Sequence, residues 1–262
     1  MYPAGRSHQE RLRYLLQFTA FAPTFGEPAP FRFRVAQDAI ELLAEEHRRE
    51  RMLSAGAALH HLRVAFEGFG EDAVVEEFPA GPDGEVFARI TLAARIAPSI
   101  DAQRMLVAAA RRRDTTAAFR PTRVPGALVK AFANECRRER AIMRVIVGDE
   151  RDVLASLIAP VDERAALLLG SPLFFAITTS GDAPTDWLAA GRALSAVMLR
   201  ATERGLATSQ FDAFVRQPDL RAALAALLRS DRTPQVLLRA GVYDGPSLAA
   251  PPRVVLDDLL VP

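Results

Sequence analysis

The chain has 262 residues, half of them hydrophobic and a quarter charged, with a formal net charge of +1. That is material for one large domain or two small ones packed together, and the charge balance gives no footprint for nucleic acid or an anionic membrane surface. Cys136 is the single cysteine, which excludes an internal disulfide and a cysteine zinc cage.

The N-terminal stretch carries Arg6, His8, Glu10 and Arg11 and has no apolar run of signal type. The most apolar region, residues 165–177, is broken by Gly170, Ser171 and Pro172 and is too short to span a bilayer. The expectation is a cytoplasmic protein with no membrane or nucleic-acid partner. Ser7 and Glu10 form a capping box ahead of Leu12, Leu15 and Leu16 at helical spacing, and Pro23 marks where that helix has stopped. Phe31, Phe33 and Val35 then alternate as in a strand. A long helix is predicted over 49–67, with Met52, Leu59, Leu62 and Phe66 inward and a glycine exit at Gly68 and Gly70. Strands are predicted over 74–78 and 85–92, joined by a Pro82-Asp83-Gly84 turn.

From Pro98 onward the chain turns helix-rich. Helices are predicted at 101–112, 126–139, 150–158, 184–204 and 218–229, with strands at 142–147, 173–178 and 235–239 between them. The tail, 251–262, is extended and could cross onto the other half. The chain thus divides into halves at 1–98 and 99–262. A faint repeat joins them: Gly56, Ala58, Leu59 and Gly70 match Gly191, Ala193, Leu194 and Gly205 without gaps. Small residues early in a buried helix allow close packing, and glycine ends it in the left-handed conformation. This predicts two related halves about a pseudo-twofold axis.

Residues 187–211, "WLAAGRALSAVMLRATERGLATSQF", followed by "TPQVLLRAGVYDGPSLAAPPRVVLDDLL" resemble the C-terminal half of a flavin-dependent nitroreductase. "RRRDTTAAFRPTRVP" at 111–125 resembles the arginine-rich opening of those domains, and "APTFGEPAPFRFRV" their proline-asparagine loop. The combination is similar to the Acg-type nitroreductase-like family, over about residues 10–260. The resemblance implies an α+β nitroreductase-like fold, with two fused pseudo-symmetric halves around a helix-covered, antiparallel-rich sheet. It implies one FMN site clasped by both halves, with NAD(P)H a possible reductant and a monomer or weak homodimer as the assembly.

By the same resemblance, Arg113 and Arg253 fall on the two arginines that meet the FMN phosphate, and Thr115 on the neighbouring hydroxyl residue. An arginine fork suits a dianionic phosphate, whereas Arg111 and Arg112 read as the cationic last turn of a helix. Ser209 and Gln210, with Thr208, fall where the family runs backbone and polar groups past the reactive edge of the flavin. Pro23 and Thr24 keep the family's proline and hydroxyl residue. Glu27 stands where asparagine is usual, Ala29 where glutamine is usual, and Ala117 in place of a basic or polar residue. Ionised Glu27 can accept hydrogen bonds but not donate them, unlike asparagine.

No particular side chain reads as catalytic, because a flavin carries the chemistry and the protein supplies binding and orientation. His8, His47, His60 and His61 lack metal-ligand spacing, and neither a P-loop nor a nucleophile elbow occurs. The leading expectation is an FMN-binding oxidoreductase acting on an unidentified small acceptor. The alternatives are a non-enzymatic FMN-sequestering protein and a flavin-free pseudoenzyme kept as an interaction partner.

Overall fold

The computed structural model describes residues 2–26, 30–36, 38–43, 48–211, 214, 216–246 and 255–261. Helix α1 (His8–Leu16) opens on the expected capping box: Ser7 Oγ accepts from the Glu10 amide, and the Glu10 carboxylate accepts from the Ser7 amide. A 3-10 turn, Gln17–Phe21, carries the chain into the loop at 22–26. Strands β1 (Arg32–Val35) and β2 (Ala39–Leu43) follow as an antiparallel pair. Helix α2 (Arg49–Phe69) ends at Gly70, whose φ of 75° is the left-handed cap expected from the sequence. Strands β3 (Glu71–Glu77) and β4 (Val86–Arg95) complete the first run of strands.

Next come α3 (Ile100–Arg111), α4 (Gly126–Arg138), β5 (Ile142–Val145), α5 (Asp149–Ile158) and the short α6 (Ala166–Leu169). They are followed by β6 (Leu173–Thr179), α7 (Pro184–Glu203), β7 (Ala207–Gln210), α8 (Pro218–Leu227), β8 (Thr233–Gly241), α9 (Leu256–Leu259) and β9 (Leu260–Val261). The result is a mixed α+β molecule whose strands divide between two sheets, ordered β3-β4-β2-β1-β9 and β5-β6-β8-β7. Among these pairings only β1 with β9 is parallel, Phe33 standing opposite Leu260 and Arg34 opposite Val261. The tail therefore adds a strand to the sheet built by the start of the chain.

Strand β6 shows why its sequence, Leu-Phe-Phe-Ala-Ile-Thr-Thr, is apolar on both faces: all seven residues are buried. Leu173, Phe175 and Ile177 pack with α4 and α7, whereas Phe174 and Ala176 pack with α5 and α8. Helices α2 and α7 cross at the centre of the molecule, each buried along most of its length. The crossing is close because two glycines make it so. A Cβ on Gly56 would stand 2.2 Å from the Leu188 carbonyl oxygen, and one on Gly191 2.0 Å from that of Leu53. Gly205, after α7, takes the same φ of 75° as Gly70 after α2.

Candidate functional site

The arginine-rich segment leaves α3 and runs beside β7. Asp114 bridges in parallel to Thr208, the Thr115 amide donates to the Thr208 carbonyl at 3.4 Å, and the Arg120 amide donates to Val242 O at 2.9 Å. Arg112, the arginine read as a plain helix end, is buried. Its Nη1 lies 2.6 Å from Asp114 Oδ2, and its Nη2 reaches Phe21 O at the entrance to the opening loop. Arg113 folds back on α3, donating from Nη1 to Ala110 O at 3.0 Å and Arg112 O at 2.7 Å. With Arg111, Gly205, Leu206, Ala207 and Tyr243 it lines a pocket of about 380 Å³. Among the described residues no carboxylate pairs with Arg111 or Arg113, so the pocket is cationic and suited to an anion.

Thr115 is buried, and its Oγ1 accepts from the Ala117 amide at 3.0 Å, so the hydroxyl serves the turn around it. The opening loop is tied down from two directions. The Phe25 amide donates to Ser54 Oγ at 2.9 Å, and Ser54 Oγ in turn donates to Glu50 O, which fixes the loop to α2. Phe25 itself inserts among the α4 and α7 core residues. Across the molecule, Gln210 Nε2 donates to the Thr24 carbonyl at 3.1 Å. Thr24 thus meets Gln210 through its backbone carbonyl. Ser209 is buried on β7 opposite Arg239. Glu27, Ala29 and Arg253 lie outside the described residues.

The residue that sequence reasoning passed over is Arg239. It is wholly buried on β8, donates from Nη2 to Thr115 O at 3.0 Å and Ala117 O at 2.7 Å, and stacks over Phe119 at 4.4 Å. Its Nε and Nη1 have no hydrogen-bond partner, and neither does the buried hydroxyl of Thr208. Burial, then the charge of Arg164, push the guanidinium down to about 10. Arg164 holds Asp162 through its backbone and side chain, donates to Gln210 O at 3.2 Å and lies over Phe211. A lone arginine inside the apolar run Val236–Ala240 was the available signal.

A second polar cluster sits in the α2–α7 crossing. His60 and His61, neighbours in sequence, both bring Nδ1 to Ser195 Oγ, at 2.8 and 2.9 Å. The serine lies between the directions of the two rings, which stand nearly perpendicular at 83°. The Ala57 carbonyl, 3.1 Å from His61 Nδ1, can only accept, so that nitrogen carries the proton. The Ser195 hydroxyl is then left to donate to His60. Burial drives both imidazoles down to about 3. His60 also lines a cavity of about 130 Å³ edged by Arg63, Glu67, Asp101, Glu135 and Arg200. Among the described residues no three or more His, Cys, Asp or Glu side chains gather as a metal cluster, and no helix is long and apolar enough to cross a membrane.

No protein-family model matches the chain. Two Mycobacterium tuberculosis proteins, each named "Putative NAD(P)H nitroreductase", are 28% identical to it over 151 residues, which is 54% of this chain and 44% of each relative. The match thus spans less than half the length of these curated relatives. Among solved structures, the FMN-dependent nitroreductase NfnB from Mycobacterium smegmatis, in complex with NADPH, is similar over 60% of this chain and 96% of its own, with a TM-score of 0.48 and 16% identity. A nitroreductase family protein from Streptococcus pneumoniae is similar over 60% of this chain and 98% of its own, with a TM-score of 0.48 and 13% identity. The sequence matches make about half of this chain similar to proteins named as putative NAD(P)H nitroreductases.

Proposed function

We propose that the chain is an FMN-binding oxidoreductase of nitroreductase type, using NAD(P)H as reductant and reducing a small acceptor, with one site per chain in a monomer or weak homodimer. The observation that carries the reading is the meeting of the opening loop with β7, through Gln210 and Thr24, close to the segment that carries Arg111 and Arg113. An anionic phosphate suits those two guanidinium groups, which lack a carboxylate partner among the described residues. The buried, unpartnered Thr208 Oγ1 and the Arg239 nitrogens lie along the same segment, where a polar ligand would satisfy them. The residues present therefore fit the group.

FMN, when bound, supplies two-electron redox chemistry between a nicotinamide and an acceptor. The chain's own part is to hold the phosphate end with Arg111 and Arg113, to offer the backbone of Thr208–Gln210, and to keep Thr24 of the opening loop beside β7 through Gln210. Arg253 is assigned to the phosphate by the resemblance. The test is a titration with FMN and with riboflavin, which lacks the phosphate. Arg113→Ala should weaken FMN by ~1.5–3 kcal/mol, the range for hydrogen bonds to charged groups, and leave riboflavin unchanged. Protein that ignores added FMN sinks the reading, and flavin that binds but is not reduced by NADPH or NADH makes the chain a sequestering protein instead.

A further inference from the structure

Helix α3 is apolar on two sides. Its inner face, with Ala102, Met105 and Ala109, packs on Val64 and Leu199. A second stripe, Leu106, Val107 and Ala110 with Gln103, follows at helical spacing where a surface helix ordinarily turns polar side chains to water. Val107 stands 51% exposed there, and Ala110 is exposed as well. This stripe forms one wall of a groove of about 450 Å³, a volume within the range of small-molecule sites.

The other wall is aromatic. It is made by Phe18, on the 3-10 turn, and Phe69, the last residue of α2, with ring centres 5.3 Å apart. Phe69 also meets the rings of Tyr14 and Tyr2, at 5.4 and 4.8 Å, which fixes that wall to α1 and the start of the chain. Gly68 lines the seam between the two helices. A Cβ on it would stand 2.7 Å from Leu106 Cδ1, so the missing side chain lets α3 settle against α2. Across the same seam, Gln103 Nε2 donates to Gly68 O at 3.2 Å. The groove is therefore shaped by contacts that are already made.

Among the described residues, the one charged side chain on the groove is Arg111, in the last turn of α3, and no carboxylate lines it. Arg111 also lines the cationic pocket of Arg113, so its guanidinium stands where the apolar groove and that pocket meet. An aromatic body suits the phenyl wall, and an anion suits a guanidinium that no described carboxylate pairs with. A cation would be repelled, and a neutral hydrocarbon would leave the charge unused. We propose that the groove between Phe18, Phe69 and α3 binds a small aromatic anion, a planar ring system bearing a carboxylate or sulfonate, with its anion on Arg111. This site is additional to the flavin reading and does not depend on it.

The test is a fluorescence titration of the full chain, without flavin, using anilinonaphthalene sulfonate and the same amine without its sulfonate. Wild type should bind the sulfonate at one saturable site, about tenfold more tightly than the neutral amine, as a hydrogen-bonded charge would give. Equal affinity for the two probes overturns the proposal. Arg111→Gln should erase the preference and leave the neutral amine bound as before, whereas Arg113→Ala, which alters only the cationic pocket, should change neither. A loss with Arg113→Ala equal to that with Arg111→Gln puts the probe in the cationic pocket and overturns the groove. Val107→Asp sets a carboxylate on the apolar wall and should weaken both probes by about tenfold or more. Unchanged binding to it means that the probe sits elsewhere and likewise overturns the proposal. Should Val107→Asp fail to fold, Ala110→Glu makes the same test from an exposed helical position that tolerates glutamate. A separate FMN titration judges the flavin reading: protein that ignores FMN and keeps the groove behaviour loses that reading alone.

Discussion

Gly191 rests its backbone on the carbonyl of Leu53, three residues before Gly56, and Gly56 rests on the carbonyl of Leu188, three residues before Gly191. The contact is reciprocal, as it would be between two copies of one helix related by a twofold axis. Alanine at either site places a methyl group against backbone, which cannot swing aside as a side chain can. Gly56→Ala and Gly191→Ala should each destabilise the fold by ~1–3 kcal/mol in urea unfolding, the cost of overpacking a fitted core. Gly126→Ala is the control: a Cβ there meets nothing within 4 Å, and its stability should stay within ~0.5 kcal/mol of wild type.

The histidine pair makes stability depend on pH. Both imidazoles titrate near 3 in the folded chain against an ordinary value of 6.5. Between those values the unfolded chain binds protons that the folded chain refuses, so stability falls as pH drops from about 6.5 toward 3. Each imidazole contributes up to ~1.4 kcal/mol per pH unit. Urea unfolding at pH about 7.5, 6 and 5 should show this slope, and His60→Gln should flatten it. An identical slope in the variant would mean that His60 is not the group responsible.

Ser195 holds that pair together, and its removal has a separate signature. Ser195→Ala leaves two buried ring nitrogens without their shared partner, for an expected loss of ~1–3 kcal/mol. Ser195→Thr keeps the hydroxyl and should recover part of it if the extra methyl is accommodated. Calorimetric melting of the three proteins orders them.

How much of this was legible beforehand depended on whether each signal was local. The capping box at Ser7 and Glu10 and the glycine after α2 are written in a few adjacent residues, and both helices formed as read. Strand β2 was not read because Glu41 interrupts Ala39–Leu43. In the fold, burial alone would raise its carboxyl, but hydrogen bonds from Arg89 and Arg34 hold it below the usual range, so the charge is tolerated inside. Strand β7 is not among the predicted strands because Ala-Thr-Ser-Gln has little β-branched content, and it stands at the edge of its sheet, met on its outer side by the isolated bridge of Asp114 to Thr208. The same limit hid Arg239: its role lies in contacts with residues 115–119, far off in sequence.

One side-chain hydrogen bond that ties the opening loop to β7 runs from Gln210 Nε2 to Thr24 O. Gln210→Ala should release the loop at 22–26 with little global cost, ~0.5–1.5 kcal/mol for a typical hydrogen bond. The checking measurement is limited proteolysis with hydrogen exchange at 22–26. Unaltered protection there would mean that the Phe25 anchor to Ser54 holds the loop alone.

Cys136 reports on the core between α4 and α7. It is wholly buried, and burial pushes its thiol up to about 12, so the thiolate is scarce at neutral pH. Reaction with a thiol reagent should be slow in native buffer and rise with the unfolding transition in urea. Fast labelling of folded protein would show that this packing opens locally.

The tail strand sets an order of events on the ribosome. Strand β1 lies near the beginning of the chain, yet one of its edges is covered by Leu260 and Val261 near the end. While the chain is being made, β1 can pair with β2 as soon as both have emerged, but its other side stays open until every strand of the second sheet and then Leu260 and Val261 have been synthesised. The first sheet is therefore begun before the second and closed after it. Throughout that interval its bare edge is a place where two nascent copies can pair with each other.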